Sequence, residues 1–332
     1  MKAKKFVLVS ITVLAFAFIF ATVATVSAAP VVYQLSDNQP ADYPTTIGDN
    51  KFAELVKERT GGRIQIDVYH SAQLFDEKSA IEQIQLGGLA FCRVNAQPLS
   101  DFTPALGVLS LPYIFRDEDH LWKVLNGPVG QEILDEMEAD SMIGLVYYDS
   151  GSRSFYNSKR EVKSPEDMKG LKIRVQESKL MMGLVSSLGA SPTPMSYGEV
   201  FTGLQSGTID GAENNWPSYY STSHYEVARY FTLDHHTRTP EVLCMSKAIW
   251  DKLSDEDKKI IKEAAVESQA IQRSSWKEYE AKSIDAIRGG GKNTITEVTD
   301  VTEWQKAVES VYSTMDLGPK RDEYIKKIQD VK

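Results

Sequence analysis

Apolar and polar positions alternate through residues 171–176, LKIRVQ: Leu171, Ile173 and Val175 fall on one side of an extended chain, Lys172, Arg174 and Gln176 on the other. The same two-residue period in RIQIDVYH sets Ile64, Ile66 and Val68 on one face. VVYQLS, LAFCRVN and the start of MIGLVYYDSGSRSFYNS read as further strands. Between them the period lengthens. GDNKFAELVKERTGG carries Phe52, Leu55, Val56 and Arg59 at helical spacing before a Gly61-Gly62 stop, and DEKSAIEQIQLGG closes on Gly87-Gly88. A helical patch spans about 117–138, with Leu121, Val124, Ile133 and Met137 apolar. SPEDMKG predicts a short capped turn, with Ser164 as N-cap, Pro165 at the first helical position and Asp167 completing the box. Helices ending at Gly189 and Gly207 follow the 171–176 strand, so the second half restarts a β-α-β-α rhythm. After Ser254 the chain runs for roughly thirty residues without proline or glycine, long for a globular helix. The pattern predicts an α/β protein of two lobes with largely parallel sheets and one long late helix able to span both.

The first residues change the picture of the compartment. MKAKK, the apolar run FVLVSITVLAFAFIFATVATV and the small residues SAAP form a basic n-region, an h-region and a cleavage site, with cleavage expected after Ala28 or Ala29. The run is long enough for an uncleaved anchor, but the extended polar VVYQLSDN that follows favours removal. The expected product is an exported, periplasmic protein of 303 residues. Losing Lys2, Lys4 and Lys5 with residues 1–29 takes the net charge from −9 to −12. Such a surface argues against nucleic acid and anionic lipid as partners, yet leaves room for a small anion held by a local arginine cluster. Export permits a disulfide between Cys92 and Cys244, and two buried free thiols fit their apolar surroundings equally well.

Catalytic patterns are absent: no P-loop, G-x-S-x-G, H-E-x-x-H or C-x-x-C occurs, and His235-His236 would point to opposite faces of a strand. No cofactor or metal is called for. What recurs is arginine and asparagine at strand ends: Arg93 in LAFCRVN, Arg153 after Gly151, Arg174 in the alternating strand, and Asn214 and Asn215 after TIDGAE, with Glu213 as a possible partner for one of them. In α/β folds strand ends deliver residues to a ligand crevice.

The stretch SPEDMKGLKIRVQESKLMMGLVSSLGASPTPMSYGEVFTGLQSGTIDGAENN resembles the signature region of the DctP-type periplasmic solute-binding proteins of TRAP transporters, and GGRIQIDVYHSAQL, LSLPYIFRDEDH and the long late helix extend the likeness over essentially the whole mature chain. The family's D-x-x-G-x-K-x-R pattern is met by Asp167, Gly170, Lys172 and Arg174. The resemblance implies two lobes joined by crossing strands: 30–150 with about 240–275 in the first, 151–239 with about 276–332 in the second. It implies that Arg174 holds a ligand carboxylate, that Arg153 lies near it and that Asn214 contacts it. By weaker analogy, Arg93, Asn38, Glu77, Tyr148, Trp216, Asn215 and His236 line the pocket. It further implies a monomeric binder that delivers its ligand to small and large TRAP permease subunits driven by an ion gradient, usually sodium. A uronate or aldonate suits three arginines with nearby amides. A doubly charged ligand, such as a C4-dicarboxylate or a polyol phosphate, is the alternative. A sensory subunit and a periplasmic enzyme are the readings of other classes.

Overall fold

The computed structural model describes residues 29–332; the leader lies outside them. Eleven strands form two sheets. Strands β1 (Val31–Ser36), β2 (Ile64–Tyr69), β3 (Phe91–Asn95), β4 (Met142–Tyr148) and β10 (Glu241–Ser246) make the first, in the order β2-β1-β3-β10-β4. Strands β5 (Arg153–Asn157), β6 (Lys172–Val175), β7 (Ser191–Pro194), β8 (Gly211–Asn214), β9 (Tyr230–Thr237) and β11 (Thr294–Glu297) make the second, in the order β11-β9-β5-β8-β6-β7. β1 pairs in parallel with β2 and β3, and β6 with β7 and β8. The two strands that return from the other lobe run antiparallel to their neighbours: β10 against β3 and β4, β5 against β8 and β9. Each lobe is thus a parallel α/β unit into which the crossing chain is inserted.

The crossings are short, Asp149–Ser152 from β4 to β5 and Arg238–Pro240 from β9 to β10. A third link is the helix Asp255–Gly290, 36 residues long and about 54 Å at helical rise. Its start is fixed by the Ser254 side chain, which accepts from the Asp257 amide, and by three acids in the first turn facing the positive end of the helix dipole. Ile261, Ala264 and Ala265 bury against the first lobe, and Ile287 joins the core of the second. Small residues set the spacing: a Cβ on Gly48, in the helix Pro44–Arg59, would stand 2.8 Å from Gln272 Cβ, so glycine there lets the two helices touch. Gln272 then reaches the crossing strand. Its side-chain amide accepts from Asp149 N and donates to Asp149 O, both at 2.8 Å, as a neighbouring strand would.

The patch read as helical over 117–138 is two helices, Glu118–Leu125 and Pro128–Glu136, because proline at 128 starts a helix and cannot continue one. Of the segment 276–332 expected with the second lobe, β11 joins the second sheet. The helix Arg321–Asp330 instead returns to the first lobe, where Tyr324 Oη donates to Glu136 Oε1 at 2.8 Å and His120 Nε2 meets the Ile328 carbonyl at 2.9 Å. An apolar side supplied by Tyr324 and Ile328 makes that docking favourable. Cys92 and Cys244 are buried free thiols, directly opposite across β3 and β10 with sulfurs 3.5 Å apart; burial pushes the Cys92 thiol up. Among the described residues no helix is long and apolar enough to cross a membrane.

Candidate functional site

Arg174 sits mid-strand on β6. Its face, polar in sequence, is nonetheless buried: Arg174 is 2 % exposed. The reason is position, since β6 ends at the cleft and its polar side borders a chamber between the lobes. Nε and Nη2 of Arg174 both donate to the Met195 carbonyl, at 2.9 and 2.7 Å. That anchors one edge of the guanidinium and leaves Nη1 without a partner among the described residues. No carboxylate pairs with it there. Burial, the largest influence, lowers its pKa.

Arg153 stands in a different electrostatic state. It begins β5, and its Nε and Nη2 grip the Glu213 carboxylate at 2.5 and 2.8 Å. Burial works to raise Glu213, but Arg153 and His236 outweigh it and hold this carboxyl at about 2. His236 lies behind, not in the chamber: Nδ1 meets Asp234 at 2.8 Å, Nε2 is 3.5 Å from Glu213, and the ring stacks on Phe155 at 4.2 Å. Burial disfavours its charge, yet Asp234 and Glu213 raise its pKa to about 9. Arg153, Glu213, His236 and Asp234 therefore form a closed row of alternating charge. Asn214, at the end of β8, borders the same chamber and accepts from the Asn215 amide through Oδ1 at 2.9 Å, which leaves its Nδ2 donor without a partner among the described residues. Asn215 also borders the chamber but is committed to the frame: Oδ1 caps the helix Trp216–Ser221 at the Ser218 amide, and Nδ2 donates to the Ser150 carbonyl.

The first lobe supplies the other wall. β1 and β3 end there, and the period of two puts Phe91, Arg93 and Asn95 on one side, with the last two at the cleft. Arg93 borders the chamber yet turns nearly all its donors to the protein's own side chains. Nε and Nη2 are taken by Asp37, Nη2 also by Asn38 at 2.6 Å, and Nη1 by Glu241 at 2.7 Å with Glu77 at 3.6 Å. The expectation of three arginines facing an anion is corrected to this extent: two of them are already neutralised by the protein's own carboxylates. Burial and neighbouring Glu241 raise Glu77, which accepts from Gln176 Nε2 across the cleft at 3.0 Å.

Two further expected pocket residues, after His236, lie elsewhere. Tyr148 is buried with Oη 2.6 Å from Ser268 Oγ on the long helix, one of the ties between β4 and that helix. Trp216 packs into the second-lobe core, its ring centroid 4.6 Å from that of Phe231. Both were aromatic residues next to functional stretches, and their role is to seat those stretches. Conversely, Gln39, Gln176, Tyr197, Ser218 and Glu241 border the chamber without having been singled out. For Gln176 a signal existed, since it shares the alternating face of Arg174.

Residues 35–316 match the family model described as bacterial extracellular solute-binding protein, family 7. The chain belongs to this family. A solute-binding protein of Chromohalobacter salexigens is 39 % identical over 292 residues, covering 88 % of this chain and 87 % of that one. Among solved structures, a TRAP periplasmic solute-binding protein from a Bradyrhizobium species, in complex with α/β-D-galacturonate, superposes with a TM-score of 0.88 at 43 % identity, covering 90 % of this chain and all of the other. One from Roseobacter denitrificans, with bound β-D-glucuronate, gives a TM-score of 0.88 at 37 % identity over 91 % of this chain and all of that one. The protein is thus an extracytoplasmic solute receptor of the TRAP type.

In this family 7 chamber the polar inventory is uneven. Among the described residues the buried side-chain oxygens Oε1 of Gln39 and Oε1 of Gln176 have no hydrogen-bond partner. An orphaned buried polar atom costs on the order of 1–3 kcal/mol, so these two acceptors are the chamber's unmet polar demand. Among the described residues no cluster of His, Cys, Asp and Glu could hold a metal.

Proposed function

We propose that this receptor captures a monoanionic sugar acid, a uronate or an aldonate, in the periplasm and hands it to TRAP membrane subunits without chemical change. The carrying observation is Arg174: a fully buried guanidinium, pinned by one carbonyl, bordering the chamber with no carboxylate of its own. A ligand carboxylate supplies the missing charge. The planar fork of arginine donates to both oxygens in parallel, and each charge-assisted bond contributes on the order of 1.5–3 kcal/mol. Asn214 Nδ2 and the unpaired Nη1 of Arg153 stand as further donors to the same carboxylate. The hydroxyls then meet the orphan oxygens of Gln39 and Gln176, with the Tyr197 hydroxyl on the chamber wall beside them. The galacturonate and glucuronate bound by the two similar proteins support this ligand class. The absence of catalytic motifs in sequence supports binding without turnover.

Closure follows from contacts that bridge the cleft. Gln176 donates to Glu77, and Tyr43 Oη meets Ser218 Oγ at 2.8 Å. A ligand touching Arg174 on one lobe and Glu77 on the other favours the conformation in which those bridges exist. Residues 30–332 titrated calorimetrically with D-galacturonate and D-glucuronate test the reading. At a hundred times its dissociation constant a true ligand adds about 2.7 kcal/mol and roughly 5 °C to the melting temperature. Neither acid binding to folded protein, or either acid binding unchanged to Arg174→Ala, would refute it.

A further inference from the structure

The two ends of the chamber differ in sign. At the Arg174 end a guanidinium with no carboxylate within hydrogen-bond reach is joined by the Asn214 amide. At the first-lobe end stands Arg93, 1 % exposed, enclosed by the carboxylates of Asp37, Glu241 and Glu77. Guanidinium has five N–H groups. In Arg93 they are spent on Asp37, Asn38, Glu241 and the approach to Glu77. Three carboxylates around one guanidinium leave this end negative, and the one Arg93 hydrogen outside those bonds lies on the Glu77 side.

Its unsatisfied atoms are acceptors. Gln176 Nε2 donates to Glu77 Oε2, and since a carboxylate only accepts, this fixes which way the Gln176 amide points. Oε1 of Gln176 is left buried and unpartnered, as is Oε1 of Gln39. A hydroxyl carries the proton these oxygens lack. A carboxylate carries none and adds a charge of the sign already in excess.

We infer that the Arg93 end of the chamber is a hydroxyl-reading subsite that turns away a second carboxylate, so that the receptor takes monoanionic sugar acids and rejects the diacids of the same carbon chain. Glu77, Glu241 and Gln176 are its specificity-determining residues. This rests on the sugar-acid reading above and deepens it. Selectivity here comes from a repulsive element and not from extra attraction at the anchor.

The test compares acids that differ only at the far end. D-Gluconate against D-glucarate, and D-galactonate against galactarate, exchange a terminal hydroxymethyl group for a carboxylate on the same open chain. D-Glucuronate and D-galacturonate are titrated beside them. The best-bound monoacid is expected to exceed its diacid by on the order of a hundredfold, the usual cost of juxtaposed like charges. Glu241→Gln and, as an independent variant should that one misfold, Glu77→Gln are each expected to narrow the gap at least roughly fivefold by tightening the diacid. A diacid bound within tenfold of its monoacid, or a gap unmoved in a folded variant, overturns the inference while leaving the sugar-acid reading in place. Folded wild-type protein that binds none of the monoacids overturns both.

Discussion

Replacing Arg174 by methionine separates what this side chain does for binding from what it does for folding. The bound state loses two charge-assisted hydrogen bonds to the ligand carboxylate, together about 3–6 kcal/mol, or a weakening of roughly 100- to 10,000-fold. The unliganded state loses much less. Arg174 has no carboxylate partner to strand, and burial already lowers its pKa. What is given up is its donation to the Met195 carbonyl, an orphan worth on the order of 1–3 kcal/mol, while an equally buried, uncompensated charge is relieved. The melting temperature without ligand should therefore stay within about 3 °C of wild type. Arg174→Lys keeps the charge and loses the fork, and should fall between methionine and wild type in affinity. The assay is calorimetry against D-galacturonate with thermal melts of both variants. Methionine binding within threefold of wild type would sink the anchor. A collapse of the unliganded fold would show that Arg174 is structural and that its lack of a carboxylate partner was misread.

Arg153→Met should behave oppositely. It strands Glu213 in the interior, and breaking such a pair costs about 3–5 kcal/mol, so the melting temperature should drop by roughly 10 °C before any ligand is added. The His236 cluster predicts an alkaline limb. Its pKa of about 9 lies above the unfolded value of 6.5, so its contribution, about 3 kcal/mol, is whole below pH 6.5 and fades as pH rises through 9; His236→Gln should flatten that stretch of a melting-temperature profile. Asp49 lies buried against Asp37, and burial and the Asp37 carboxylate push its carboxyl well up, so the fold keeps a proton that the unfolded chain releases above about pH 3.8. Asp49→Asn should then raise the melting temperature at pH 8 more than at pH 4, and a loss at both would refute a neutral Asp49.

How far the sequence carried differs between frame and site. Period-two strands, capped helices and the long late helix were legible because their signals are local: Ser164 caps where its three-residue spacing to Asp167 says it should, and the run without proline or glycine after Ser254 is one helix. Arg174 was legible because an arginine in an alternating strand contradicts simple burial. The state of charge was not. Arg93 meets Asp37, Glu77 and Glu241 from separations of 56, 16 and 148 residues, and no spacing rule links them. The aromatic residues misled for a related reason, since a ring beside a functional stretch looks the same in sequence whether it faces the cavity, like Tyr197, or the core, like Trp216. The helix Arg321–Asp330 carries an amphipathic signature but nothing local that says which lobe will cover it.

The grip of Gln272 on Asp149 has a mechanical side. The helix Asp255–Gly290 is a rod fastened to β4 and the helix Pro44–Arg59 at one part and to the helix Trp216–Ser221 at another, with its glycines only at the far end. Unkinked helices curve to radii of about 60–100 Å, so a 54 Å rod follows a bend of roughly 30–50° without a kink. Any hinging of the two lobes has to bend this rod or slide it, so the brace of the frame is also a spring across the cleft.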